Sequence, residues 1–185
     1  MSVLSIALLR AIEFAAEKHK KQKRKGKGQT PYINHPIQVA HLLAEYGEES
    51  NTDLLMAAIL HDTIEDTTTT EEELIQCFGT HVAKIVLEVT DDKTLPLKER
   101  KRLQVVHTPD KSKAAKLLKI ADKTCNVKDI TADPPSNWTI QRKLEYLDWA
   151  EAVVKGAKGV NPGLEKNFFQ VLAEGRKKLV QLVEA

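Results

Sequence analysis

Residues 54–60, Leu-Leu-Met-Ala-Ala-Ile-Leu, form an unbroken apolar run, and the next six, His61-Asp62-Thr63-Ile64-Glu65-Asp66, carry four ionisable side chains. The run reads as buried helix. Charges placed directly after it are desolvated, at a cost that only a metal, an opposite charge or hydrogen bonds offset. In helical register His61 shares a face with Glu65, and Asp62 with Asp66. The alternative is a helix end with a solvated acidic tail. Further ligand residues elsewhere in the chain decide between the two.

The remainder reads as helix. Few aromatics (5%) and abundant Leu, Ala, Lys and Glu favour that state. A first amphipathic helix is predicted over 3–22 (Leu4, Leu8, Ile12, Ala15, His19), and a second begins at His35-Pro36, where proline suits the first turn. A third covers 51–63 from an Asn51 or Thr52 cap, and a fourth covers 71–78 from a Thr70–Glu73 capping box and breaks at Gly79. Further helices are expected over 80–90, after Pro96, over 111–131, 137–156 and 162–183. No stretch alternates as a strand does, so the fold class is all-α, and 185 residues suit one domain over 1–185.

Composition excludes several roles. A net charge of +2 gives no overall case for nucleic acid or a membrane surface, so any basic site is local. The short basic run has no interleaved aromatics, which argues against single-strand binding. No stretch approaches the ~20 apolar residues of a membrane span, and residues 1–16 show no leader pattern. Cys77 and Cys125 form no metal-binding spacing, which fits a reduced, cytoplasmic protein. Monomer and homodimer both stay open.

Three more segments carry chemistry. The run Lys18 to Gly28 is basic, has two glycines and reads as a helix end followed by a mobile loop. It is either a solvated charge run or an anion site. Tyr32-Ile33-Asn34-His35-Pro36 brings His35 to a helix entrance, as cap or ligand; His41 and His81 read as surface or packing residues. On the 111–131 helix Asp122 lies beside the apolar stripe, one turn before Asn126, and needs a compensating partner. His35, His61, Asp62 and Asp122 together supply two imidazoles and two carboxylates, a set suited to Mn²⁺, Fe²⁺, Co²⁺ or Zn²⁺. Such an ion acidifies water and polarises a phosphoryl oxygen. Glu65, one helical turn from His61, would orient or deprotonate that water. Asp66 would hold it or fix Glu65. Arg24 and Lys25 would neutralise developing phosphate charge.

The order H…HD…D resembles the HD-domain superfamily of metal-dependent phosphohydrolases. The segments Arg24-Lys25, Tyr32 to Pro36, His61 to Asp66, Thr90 to Lys93 and Leu118 to Asn126 resemble, in that order, the hydrolase domain of the RelA/SpoT alarmone enzymes. With no synthetase domain, the chain is most similar to the small stand-alone, metazoan SpoT homologue type. The resemblance implies one bundle of about 8–10 helices and a typical metal of Mn²⁺ on His35, His61, Asp62 and Asp122. It also implies Glu65 and Asp66 as the hydrolysis-competent pair, and removal of the 3′-pyrophosphate of guanosine 3′,5′-bis(diphosphate). It places Asn126, Arg142 and Tyr146 beside the nucleotide, Tyr146 as a surface for the base. For Arg142 and Tyr146 a surface arginine and a core tyrosine are the alternative. No phosphate contact is carried onto Lys98, Arg100 or Lys101, and Cys125 stands where the family often has a larger side chain. Competing functions are removal of another ribose phosphate, such as the 2′-phosphate of NADPH, and a catalytically silent nucleotide-binding module.

Overall fold

The structure is a computed structural model, described for backbone over residues 3–184 and for side chains over 6–182. Leu4 of the first stripe therefore lies outside the described side chains. The helices are α1 Val3–Lys18, α2 Asn34–Tyr46, α3 Thr52–Leu60, α4 Thr63–Asp66, α5 Glu71–Phe78, α6 Thr80–Val89, α7 Leu97–His107, α8 Lys113–Ala132, α9 Ile140–Gly156 and α10 Pro162–Glu184. A 3₁₀ turn, Thr108–Asp110, joins α7 to α8. Among the described residues extended pairing is limited to one isolated bridge, Lys23 with Pro31.

Two helices form the axis of the bundle. The apolar run makes α3, which packs on α1, α2 and α6, and Leu54, Met56, Ala57, Ala58, Ile59 and Leu60 are all buried. α8 packs on α2, α6, α9 and α10 and buries Leu117, Leu118, Ile120, Ala121, Cys125 and Val127. Fully buried Ala11, Ala15, Ala57 and Ala58 let neighbouring helix backbones approach closely. Truncating Leu60 or Leu118 to Ala would cost about 2–5 kcal/mol. α8 also buries Lys119, Asp122, Lys123 and Thr124, so the core carries charge on one side.

Local signals account for most ends. Asn51 Oδ1 accepts from Leu54 N at 3.1 Å, and Thr70 Oγ1 accepts from Glu73 N at 3.2 Å. The Glu73 carboxylate, however, pairs with Lys18 Nζ at 2.7 and 2.8 Å, tying α5 to the end of α1. Gly79, at φ +88°, separates α5 from α6 in a conformation that a side chain disfavours.

Three expectations are corrected. The third helix stops at Leu60 instead of running to 63. Asp62 sits at φ −100°, ψ 0°, and the Thr63 hydroxyl donates to Leu60 O at 2.7 Å, so α4 is a separate single turn. The basic run is pinned, not mobile. The first helix ends at Lys18 rather than 22, and the chain then forms a hairpin-like loop in which Arg24 N donates to Thr30 O and Tyr32 N to Gln22 O. Gly28 N donates to Asp133 Oδ2 at 3.1 Å, and a Cβ on Gly26 would stand 2.2 Å from that carboxylate. The loop thus lies against the end of α8, a packing that requires glycine.

Candidate metal and phosphate site

The four expected ligands arrive from three directions. His35 comes from the first turn of α2, His61 and Asp62 from the bend between α3 and α4, and Asp122 from the middle of α8. The Nε2 of His35 lies 3.1 Å from Asp122 Oδ1 and 3.9 Å from Asp62 Oδ2. The Nε2 of His61 lies 3.0 Å from Asp62 Oδ2 and 3.9 Å from Asp122 Oδ1. Ligand atoms of His35, His61 and Asp62 all fall within 4.8 Å of one another. The bend brings this about, since it turns Asp62 toward His61 at the end of the buried helix.

These residues fit a divalent ion. His61 Nδ1 is 2.8 Å from Ala58 O, which fixes the proton there, and the buried Nε2 makes no hydrogen bond. Nε2 is then the ring atom that would face an ion, and two carboxylate oxygens stand 3.0 and 3.9 Å from it. The electrostatics agree. Burial would lower His61, but the Asp62 charge outweighs it and raises the imidazole to about 9. Burial would raise Asp62, yet His61 holds it below the ordinary carboxylate range. Asp122 is likewise held low against burial, chiefly by Lys123 at 2.8 Å. His35 is lowered by burial, with Arg24 and His61 also disfavouring its charge. An ion bound among these groups would compete with a proton for His61.

A shell of partners holds the carboxylates. The Tyr32 hydroxyl donates to Asp62 Oδ2, and Asn126 Nδ2 donates to Asp122 Oδ1 at 2.6 Å. Arg24 Nη2 donates to Asn126 Oδ1 at 2.7 Å and to Asp129 Oδ2 at 2.6 Å. The Asn126 amide is thus engaged on both sides, linking Arg24 to Asp122.

The acidic pair divides in the structure. Asp66 accepts from Gln22 Nε2 at 2.9 Å on one oxygen and from Lys93 Nζ on the other. Glu65 accepts from Asp91 N at 3.1 Å on Oε2, while Oε1 faces Arg100 Nη1 at 3.6 Å. Burial raises the Glu65 carboxyl above its ordinary value.

His35, His61, Asp62, Asp122, Glu65, Asp66, Arg24, Lys25, Asn126 and Tyr146 all line one cavity of about 250 Å³. Tyr146 contributes from within an aromatic cluster, 5.7 Å from Trp138 and 5.2 Å from Trp149. Arg142 is not brought in: it is exposed, with its guanidinium 4.5 Å over the Trp138 ring. The spacing gives no site role to Tyr32, Gln22, Asp129, Lys123 or Arg100. Arg100 lies in a basic segment whose spacing singles out no contact, and the pairing of Tyr32 with Asp62 spans 30 residues.

Comparison with known proteins accords with this geometry. Residues 11–147 match the HD domain family, and the chain belongs to that family. Within it the likeness covers more than nine-tenths of the small stand-alone members named next. The chain is 50% identical over 172 residues to the guanosine-3′,5′-bis(diphosphate) 3′-pyrophosphohydrolase MESH1 of Danio rerio, covering 93% of this chain and 96% of that one. It is 53% identical over 165 residues to the Xenopus tropicalis protein of the same name, covering 89% and 92%. A solved structure described as a metazoan ortholog of SpoT that hydrolyzes ppGpp and plays a role in starvation responses superposes with a TM-score of 0.89 at 38% identity, covering 94% of this chain and 96% of that one. No helix among the described residues is long and apolar enough to cross a membrane.

Proposed function

We propose that this chain hydrolyses guanosine 3′,5′-bis(diphosphate), releasing pyrophosphate from the 3′ position and leaving the guanosine 5′-diphosphate. The observation that carries the reading is the convergence of His35, His61, Asp62 and Asp122 in a cavity that also holds Glu65 and Arg24, in a chain of which 93% and 89% is matched by two hydrolases of that name.

His35, His61, Asp62 and Asp122 would hold a divalent ion, Mn²⁺ in our reading, with Zn²⁺, Fe²⁺ and Co²⁺ compatible with the same donors. When bound, the ion supplies Lewis-acid stabilisation of phosphoryl charge and makes water more acidic. Glu65 takes the proton of the attacking water: it is raised by burial and one of its oxygens carries no hydrogen bond from the protein. Asp66, tied to Gln22 and Lys93, positions the basic loop and the turn after α6 around Glu65. Arg24, fixed by Asp129 and Asn126, faces the phosphates together with Lys25. Water oxygen bonds to the phosphorus nearest the ribose, the bond to the 3′-oxygen breaks, and the proton passes to that oxygen. We place the protein in the cytoplasm, consistent with free Cys77 and Cys125.

The test is a panel of guanosine 3′,5′-bis(diphosphate), its 5′-triphosphate form and NADPH with each divalent ion, read as kcat/KM and product identity. Preference for the guanosine substrates with pyrophosphate release supports the reading. Preferential orthophosphate release from NADPH assigns the site to ribose-monophosphate removal instead.

A further inference from the structure

Of the two buried lysines of α8, Lys123 is paired to Asp122, whereas Lys119 makes no ion pair among the described residues. Among the described residues its Nζ makes one hydrogen bond, to Val89 O, 2.8 Å away at the end of α6. The helix C-terminus favours a cation there, but an ammonium has three donors. A buried charge with two donors left over is costly unless a ligand or water meets them.

Two cavities border Lys119. Val89, Asp91, Gln104 and Lys119 line both the main cavity and an adjoining one of about 150 Å³, which Arg100 and Lys111 also line. Along α8, Lys119, Asp122, Lys123 and Asn126 follow the i, i+3, i+4, i+7 pattern and all line the main cavity. Arg24 and Asn126 mark one end of that row and Lys119 the other, about 10 Å apart along the helix axis, with Asp122 between them.

Resting on the function proposed above, we propose that Lys119 receives the terminal phosphate of the substrate's diphosphate arm and so distinguishes a diphosphate ester from a monophosphate ester. The phosphate at the ribose lies at Asp122 and its neighbours. A second phosphate extends from there along the row to Lys119, where a doubly charged group meets the unfilled donors, while Arg24 stays beside the first. A monophosphate ester ends short of it.

The experiment compares wild type with Lys119→Gln, which keeps a donor for Val89 O and removes the charge. The readouts are kcat/KM for guanosine 3′,5′-bis(diphosphate) and for guanosine 5′-diphosphate 3′-monophosphate, and calorimetric binding of inorganic pyrophosphate and orthophosphate to the Mn²⁺-loaded protein. We expect a loss of about 10–100-fold on the diphosphate ester and on pyrophosphate binding, with the monophosphate ester and orthophosphate changed less than about threefold. Lys119→Arg, which keeps the charge, recovers most of the loss. An equal loss on both esters, or no loss on either, overturns the proposal, the first showing that Lys119 acts through Val89 and the turn that holds Glu65. Should Lys119→Gln not fold by circular dichroism, Lys119→Met takes its place with the same expectations, and a failure of both to fold makes the role structural and overturns the proposal. If wild type hydrolyses neither ester, the substrate reading fails, and pyrophosphate against orthophosphate binding still decides the role of Lys119.

Discussion

The hydroxyl of Tyr32 donates to Asp62 Oδ2, the same oxygen that stands 3.0 Å from His61 Nε2. A tyrosine at the base of the basic loop therefore sets the orientation of a carboxylate on the acidic bend. The Tyr32 ring also packs 4.8 Å from His19 and beneath the Arg24 guanidinium, 5.5 Å from its centroid. The groups proposed to face the phosphates and those proposed to hold the ion are thus one assembly. Tyr32→Phe keeps the packing and removes the hydrogen bond, and we expect Mn²⁺ affinity to fall by about 10–100-fold. Metal titration by calorimetry checks this; unchanged affinity would show that Asp62 orients itself.

The pH dependence follows from Glu65. Its carboxyl is raised by burial, with the Asp91 amide and its hydrogen bond opposing. A base acts only when ionised, so turnover is full above that raised pKa and is lost as pH falls through it. The acid limb of kcat should lie above the ordinary glutamate value, and Glu65→Gln should lower kcat by about 10²–10⁴-fold with metal retained. Saturating-substrate pH profiles with metal analysis measure both. Loss of metal in Glu65→Gln would contradict its assignment as base.

Asp129 touches Arg24 through both Nε, at 2.9 Å, and Nη2, at 2.6 Å. Asp129→Ala frees the guanidinium to swing away from Asn126. The expected result is a rise in KM of about tenfold with kcat reduced less, since an interaction shared by bound substrate and transition state is weakened. Steady-state kinetics read it directly, and an unaltered KM would mean Arg24 is held by Asn126 and Tyr32 alone.

Asp133 fastens the glycine loop through Gly28 N. Asp133→Ala should leave the bundle intact, within about 1 kcal/mol in denaturant unfolding. It should also speed amide exchange across residues 24–30 and raise KM with Arg24 less well placed. Hydrogen exchange by mass spectrometry checks the loop; equal protection would show that the Lys23–Pro31 bridge suffices.

The helices were legible because each carries its period and its punctuation: the Asn51 and Thr70 caps, the Gly79 break and the apolar faces of α6 and α8 all stand where spacing placed them. The cluster of His35, His61, Asp62 and Asp122 was legible for a different reason. A buried helix that ends in His61-Asp62 requires compensation, and His35 and Asp122 each come within 3.9 Å of that pair. The bend at Asp62 was not legible, since it depends on one hydroxyl, Thr63, taking the Leu60 carbonyl from the helix. The fixed loop was not legible either. Periodicity reports which residues share a face, while Gly28 meets Asp133 and Arg24 meets Asp129 across 105 residues of sequence. Arg142 shares a helical face with Tyr146, yet Trp138 offers its guanidinium a ring to lie on.

The central claim is that the four-ligand centre and Glu65 together cleave a 3′-diphosphate from guanosine. The most direct measurement incubates Mn²⁺-loaded wild type, Glu65→Ala and Asp122→Ala with guanosine 3′,5′-bis(diphosphate) and quantifies nucleotide and phosphate products alongside bound metal. The account predicts equimolar guanosine 5′-diphosphate and pyrophosphate from wild type, metal without turnover in Glu65→Ala, and neither in Asp122→Ala. An intact substrate with metal-loaded wild type, or full turnover by Asp122→Ala, would contradict it.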